Sequence, residues 1–439
     1  MDSGVMCVEG GEPLVGAVAV RGAKNLASKA MVASLLGQTP SVLSNVPAIR
    51  DVEVVSGLLR IHGVTVDWDD RGGRISMDPV NVDSAQVADI SVHAGSSRIP
   101  ILLCGPLLHR LGEAFIPNLG GCAIGGRPIN YHLDILRQFG AQVAKESDGV
   151  KLSAPHGLTG TQIDLEYPSV GATEQTLLTA VLAEGITELR GAAVEPEIMD
   201  LVAVLQKMGA IISTETDRVI RIEGVTGLSG FTHTAMPDRI EAASWAAAAL
   251  ATSGTITVVG ARQADMMTFL NCFRKIGGAF EVLDEGIRFF RANGQLTSIA
   301  LETGVHPGFM TDWQQPVVVA LTQAEGLSIV HETVYEQRFG FTGALRRMGA
   351  TIQLYPNCLG GLPCRFGAKN YLHSAVVSGP TPLRAAEIDI PDLRGGFSHV
   401  IAALAASGTS TIHGIDLIDR GYEHFSEKLA GLGARTWRG

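Results

Sequence analysis

Hydrophobic and polar positions follow one pattern that recurs from end to end of the chain. A helical stretch closes on a glycine followed by a small or β-branched residue at Ile61-His62-Gly63-Val64, Phe139-Gly140-Ala141, Met208-Gly209-Ala210, Ile276-Gly277-Gly278, Met348-Gly349-Ala350 and Leu432-Gly433-Ala434. These glycines lie 77, 69, 68, 72 and 84 residues apart, and glycine is what a left-handed helix C-cap favours. After most caps the pattern switches to alternation. Ala279-Phe280-Glu281-Val282, Asp284-Glu285-Gly286 and Ile287-Arg288-Phe289 predict a hairpin, and Gln142 to Leu152 repeats it around Ser147-Asp148-Gly149.

A second set of helices alternates with the first and ends near Gly37, Gly112, Gly185, Gly254, Gly326 and Gly408, each before a short β-like run such as Ile186-Thr187-Glu188-Leu189. The repeat is therefore roughly 70 residues of strands and two helices, present six times. Alanine-rich second helices, as in Trp245-Ala246-Ala247-Ala248-Ala249-Leu250, suit burial on most faces. Helices inside and sheets outside is the expected arrangement, and six units need two cores, hence two three-unit domains.

Composition narrows the class. Of 439 residues, 46% are hydrophobic and 18% charged, enough apolar material for large cores. A net charge of −10 opposes nucleic-acid binding, which draws most of its affinity from phosphate contacts. The charge-free stretch Ala242 to Ala261 contains Ser253-Gly254 and then Thr255-Ile256-Thr257-Val258, so it reads as helix, turn and strand rather than a membrane span. With Arg21 as the first basic residue and no apolar run after a charged start, no signal peptide is expected. Six cysteines without a C-x-x-C pair fit a cytoplasmic protein and suggest neither a zinc site nor a dithiol.

Candidate chemistry sits where the second helices begin: Ala23-Lys24-Asn25, Ser97-Arg98, Ser169-Val170-Gly171-Ala172-Thr173, Pro237-Asp238-Arg239, Thr311-Asp312 and Asp392-Leu393-Arg394. Equivalent positions in repeats lie at equivalent ends of the molecule, and helix N-termini offer unpaired N–H groups and partial positive charge. An acidic chain that gathers cations there predicts a focused cleft between the domains for an anionic ligand. Arg127, Arg338 and Arg420 occupy the other connections, and arginine grips phosphate or carboxylate bidentately. Gly120-Gly121-Cys122-Ala123-Ile124-Gly125-Gly126-Arg127 describes a flexible loop that presents a thiol beside a cation, which favours a reactive rather than a packed cysteine. No G-x-G-x-x-G, Walker A, H-E-x-x-H or G-x-S-x-G motif is present, and metal catalysis has no support.

These segments, with Pro168-Ser169-Val170-Gly171, Pro237-Asp238-Arg239-Ile240-Glu241, His306-Pro307, Glu332-Thr333-Val334 and Ile418-Asp419-Arg420-Gly421-Tyr422, resemble the UDP-N-acetylglucosamine 1-carboxyvinyltransferases, the enolpyruvyl transferases of peptidoglycan synthesis. The resemblance runs in order along essentially the whole chain. It implies an inside-out α/β barrel fold in two domains, each of three strand-helix-strand-helix-strand-strand units. One would comprise residues 1–22 and 237–439, the other residues 23–236 with the Cys122 loop. It implies transfer of the enolpyruvyl group of phosphoenolpyruvate to the 3′-hydroxyl of UDP-N-acetylglucosamine through a tetrahedral ketal, with no metal or organic cofactor.

By the same resemblance, Lys24, Asn25, Cys122, Arg127, Arg394 and Arg420 hold phosphoenolpyruvate, Asp312 is the general base, and Cys122 donates the proton to the enol methylene. Asn25, Arg98, Arg127, Pro128, Ile129, Asn130, Tyr131, Ser169, Val170, Gly171, Asp312, Val334 and Arg338 bind the nucleotide sugar or order the site. The sequence departs from the family at Leu102, Leu119, Asn130 and Tyr131, and Pro356 to Pro382, which contains Cys358 and Cys364, is longer than usual. The uracil-segment departures leave another uridine nucleotide open as acceptor, and an idle binding homologue is the reading from outside the enzyme class. Shikimate 3-phosphate is disfavoured by the loop cysteine.

Overall fold

Small side chains let helices approach closely on every face, and the chain uses this at its centre. All thirteen residues of the helix Arg239–Ala251 are buried, and it packs against the helices Thr311–Leu321 and Leu393–Ala405, themselves almost wholly buried. In the computed structural model, which describes residues 4–84, 98–117, 129–362 and 364–439, the chain forms two compact units. One, the terminal unit, holds the start of the chain through Arg21 together with Pro237–Gly439; the other, the inserted unit, begins at Gly22 and ends at Met236. Each has its own apolar core.

The architecture is mixed α/β, with six small sheets among the described residues. In three sheets a strand, a buried helix and the next strand give a parallel pair: Gln162–Asp164 with Ile186–Arg190, Ala300–Glu302 with Ala324–His331, and Glu387–Asp389 with Gly408–His413. Val15–Ala19 runs parallel to Thr255–Val259, with Val15 opposite Thr255. Gly278–Leu283 and Gly286–Arg291 form the predicted hairpin, Leu283 opposite Gly286, which leaves Asp284-Glu285 as the two-residue turn. Alternation places one face of each strand inward, as in Thr255–Val259, where Ile256 and Val258 are buried between half-buried neighbours. The last sheet of the terminal unit is completed by the N-terminal strand Val5–Gly10, which pairs antiparallel with both Gly408–His413 and Arg435–Arg438.

The first set of glycines occupies left-handed backbone throughout, with φ between 85° and 106° at Gly63, Gly140, Gly209, Gly277, Gly349 and Gly433. The second set differs at two places. Gly37 is extended, with φ −78°. At Gly254 the left-handed residue is its neighbour Ser253, and glycine is needed because a Cβ would lie 2.2 Å from the Leu14 carbonyl oxygen. The element after Arg98 also departs from the sequence reading. It opens as the 3-10 turn Ile99–Leu103, containing Pro100, before the helix Cys104–Leu111. Among the described residues, no helix is long and apolar enough to cross a membrane.

Trp245 locks the inner helices of the terminal unit. Its fully buried ring meets Phe397 edge-on at 4.7 Å and Phe425 at 5.9 Å, and its Nε1 donates to Glu241 at 3.1 Å. Trp245→Ala should cost about 3–5 kcal/mol in urea denaturation, whereas Trp437→Ala, at a half-exposed position, should cost about 0.5 kcal/mol or less.

Candidate active site

Burying a helix also buries its N-terminus, with several N–H groups lacking a partner within the helix. The terminal unit satisfies some of them with carboxylates at two of its inner helices. Asp238 accepts from the N–H groups of Ile240 and Glu241 at 2.8 and 3.0 Å, and Asp392 accepts from Arg394 and Gly395, both at 3.0 Å. Thr311, first residue of the third helix, donates its hydroxyl to Glu332 at 2.9 Å, and Glu332 also accepts from the N–H groups of Val334 and Tyr335 at 2.8 and 3.0 Å. Three of these acids are buried, so cations must accompany them.

Two arginines do so and converge on Asp312, in the first turn of Thr311–Leu321. Arg338 forms a short ion pair with Asp312 Oδ1, and Arg394 Nε lies 3.9 Å from Oδ2. Arg394 also donates to the Tyr422 hydroxyl at 2.7 Å and stands over its ring. Burial works against the Arg338 cation, yet Asp312, Asp392 and Glu332 outweigh it and raise its pKa above the ordinary guanidinium range. Arg394 is raised in the same way, burial being overcome by Tyr422, Asp238 and Asp312. Burial pushes the Tyr422 phenol up to about 12, although Arg394 favours the phenolate. Burial likewise raises Glu332, against the N–H bonds it accepts. Arg338 Nε, buried and without a hydrogen-bond partner among the described residues, is a donor left for an acceptor atom. Arg420 follows the short helix Asp416–Asp419, whose Asp419 is held by both guanidinium nitrogens of Arg438 at 2.9 and 3.2 Å.

The inserted unit carries its own group of the residues singled out from sequence. Gly22 donates its N–H to the Asn45 carbonyl at 2.9 Å, and a Cβ there would come within 2.1 Å of that oxygen, so the entry to the helix Lys24–Ala33 requires glycine. Lys24 begins this helix and pairs with buried Asp51 at 2.7 Å, and Asn25 follows it, half-buried. Ser169 caps Val170–Ala180 by accepting from Ala172 N–H at 3.3 Å. Gly171 faces His132 so closely that a Cβ would stand 3.1 Å from Nε2, and His132 Nδ1 lies 3.3 Å from Gln175 Oε1. Arg98 is half-buried beside Ile99. Ile129 precedes the helix Asn130–Gln138, which opens on exposed Asn130 and Tyr131.

Of the residues singled out from sequence, Asp312, Arg338 and Arg394 meet directly, with Val334 tied to them through Glu332. Cys122, Arg127 and Pro128 lie outside the described residues. Sequence reading missed Asp51 as the partner of Lys24 and Glu332 as the acceptor joining two segments. Asp51 had a signal: with Val55, Leu58 and Leu59 it falls on the apolar stripe of the helix Arg50–Ile61, where an unpaired acid would be costly.

Residues 8–429 match the family described as EPSP synthase (3-phosphoshikimate 1-carboxyvinyltransferase). A UDP-N-acetylglucosamine 1-carboxyvinyltransferase of Protochlamydia amoebophila is 48% identical over 437 residues, covering 98% of this chain and 94% of that relative. One from Azorhizobium caulinodans is 38% identical over 437 residues, covering 98% of both chains. The fold is similar to the crystal structure of the enolpyruvyl transferase NikO from Streptomyces tendae, with TM-score 0.87, 24% identity and coverage of 99% of this chain and 98% of that one. EPSP synthase from Acinetobacter baumannii aligns with TM-score 0.74 at 18% identity over 99% and 100% of the two chains.

Beside these residues, buried Glu174 faces Lys29 at 3.5 Å, and burial raises its pKa to about 7 although Lys29 opposes the shift. A carboxyl raised in the folded state costs nothing below its unfolded value near 4.5 and destabilises progressively as pH rises to about 7. Glu174→Gln should therefore flatten the stability–pH curve across that window and remove a loss of roughly 3 kcal/mol at most, read by urea denaturation at pH 5 and pH 8.

Proposed function

The chain belongs to the EPSP synthase family of enolpyruvyl transferases, and from that premise we propose that it transfers the enolpyruvyl group of phosphoenolpyruvate to the 3′-hydroxyl of UDP-N-acetylglucosamine with release of phosphate. The observation that carries this reading is end-to-end likeness, at 38–48% identity, to relatives of that activity. The step is the first committed one in peptidoglycan precursor synthesis, and we place it in the cytoplasm.

The arrangement around Asp312 suits the chemistry. Addition joins the acceptor 3′-oxygen to C2 of phosphoenolpyruvate while C3 gains a proton; elimination then removes phosphate and a C3 proton to leave the enol ether. The first step needs a base at the hydroxyl. Asp312 takes that role, its carboxylate oriented by Arg338 and Arg394. The reaction gathers negative charge on the leaving phosphate, and fixed cations stabilise such charge without reorganising. Arg394, aligned by Tyr422, supplies one; Lys24, Arg127 and Arg420 supply the others. Cys122 delivers the proton to C3. Asn25, Arg98, Pro128, Ile129, Asn130, Tyr131, Ser169, Val170, Gly171, Val334 and Arg338 serve the nucleotide sugar.

A second reading, another uridine nucleotide as acceptor, rests on Asn130 and Tyr131 at the exposed opening of their helix. Phosphate release separates the two: turnover with UDP-N-acetylglucosamine and none with UMP is expected, and the reverse would transfer the assignment. Asp312→Asn should lower kcat about 10²–10⁴-fold while nucleotide-sugar binding, followed by calorimetry, stays near wild type. Wild-type turnover would remove Asp312 as base. Fosfomycin with UDP-N-acetylglucosamine should add the mass of the drug to Cys122, detected by peptide mass spectrometry; an unmodified thiol would count against its assignment.

A further inference from the structure

Outside the catalytic cluster, the terminal unit brings together four side chains that the sequence gives no reason to connect. His331 ends the strand Ala324–His331, Cys358 and Cys364 belong to the long segment after the strand Thr351–Tyr355, and His373 immediately precedes the strand Ser374–Gly379. One ligand atom from each lies within 4.8 Å of all the others. Cys358 Sγ and His373 Nε2 are 3.4 Å apart, close to the roughly 3.5 Å edge of a tetrahedron with Zn–S of about 2.3 Å and Zn–N of about 2.0 Å.

The surroundings orient these groups as ligands. His373 Nδ1 lies 2.8 Å from the Tyr371 carbonyl, which fixes the tautomer and leaves Nε2 with its lone pair toward Cys358. His331 is wholly buried, and neither ring nitrogen has a well-formed hydrogen bond among the described residues. Its Nδ1 is 3.4 Å from Glu302 Oε2, so Nε2 is the nitrogen left for a ligand. A buried imidazole nitrogen without a partner is costly, and a metal ion would relieve that cost. Glu302 also accepts from the N–H groups of Gly361 and Leu362 at 2.8 and 2.9 Å, tying the cysteine segment to the same carboxylate. At Gly360 a Cβ would stand 2.2 Å from His331 Nδ1, so the backbone closes over the imidazole.

We propose that His331, Cys358, Cys364 and His373 form a structural site for one zinc ion. With all four positions taken by protein, such a site anchors rather than catalyses. The anchored segment needs it: its own apolar core is little more than Phe366, buried against the rings of Tyr371 and His373. Its Arg365 donates to the Val334 carbonyl, so ordering this segment also steadies the strand exit that leads to Arg338.

The test uses the full-length reduced protein, stripped with a chelator and titrated with zinc against a competing indicator. One zinc per chain should bind, and cobalt in its place should give the absorption of a tetrahedral ion with thiolate charge-transfer bands. Trypsin cleavage after exposed Arg365 and Lys369 should slow when zinc is added and quicken with chelator. Cys358→Ser, at an exposed position, should remove the site, and Glu302→Gln should weaken it about 10–100-fold. Zinc left wholly with the indicator, a cobalt spectrum without thiolate bands, or a metal-free Cys358–Cys364 disulfide would each overturn the proposal.

Discussion

The terminal unit is governed by the charge balance at the buried N-termini of its inner helices. Asp238 and Asp392 accept backbone N–H groups at two of these helix starts, Glu332 accepts the Thr311 hydroxyl at the third, and three buried acids call for nearby cations. Arg338 and Arg394 supply the opposing charge, and Asp312 is the carboxylate on which both converge. Removing either arginine would leave charge buried without compensation. The same groups that make the helix ends tolerable therefore also hold a carboxylate between two fixed cations.

That constraint follows from the repeat. A unit that encloses its helices in sheets delivers buried helix starts wherever the pattern recurs, and each start attracts anions. Side chains can meet that demand, as Asp238 and Asp392 do, or a substrate can. The inserted unit shows the same logic with different residues: Ser169 caps one helix, and Lys24 opens another against Asp51. In both units, capping and ion pairing at buried helix starts answer the same demand.

Much of this was legible in the sequence because it is local. Glycine caps declare themselves by spacing, and all six of the first set adopt left-handed backbone. The hairpin at Ala279–Phe289 follows from alternation around a short polar turn. Gly254 shows the boundary of such reading, since its need for glycine comes from the distant Leu14 carbonyl. Pairings between separate segments were hidden for the same reason. Nothing in the neighbourhood of Glu332 announces that it accepts from Thr311, and nothing near Cys358 announces His331. The absence of a C-x-x-C pair argued against a zinc site, but two histidines and two cysteines from three stretches of chain assemble without one.

The most direct measurement is a crystal structure of Asp312→Asn with phosphoenolpyruvate and UDP-N-acetylglucosamine bound. The account predicts the acceptor 3′-oxygen within about 2.6–3.2 Å of the residue 312 side chain, with Arg394 and Arg420 on the anionic groups of phosphoenolpyruvate. An acceptor hydroxyl placed beside a different base, with the Arg338–Arg394 cluster remote from both substrates, would contradict it.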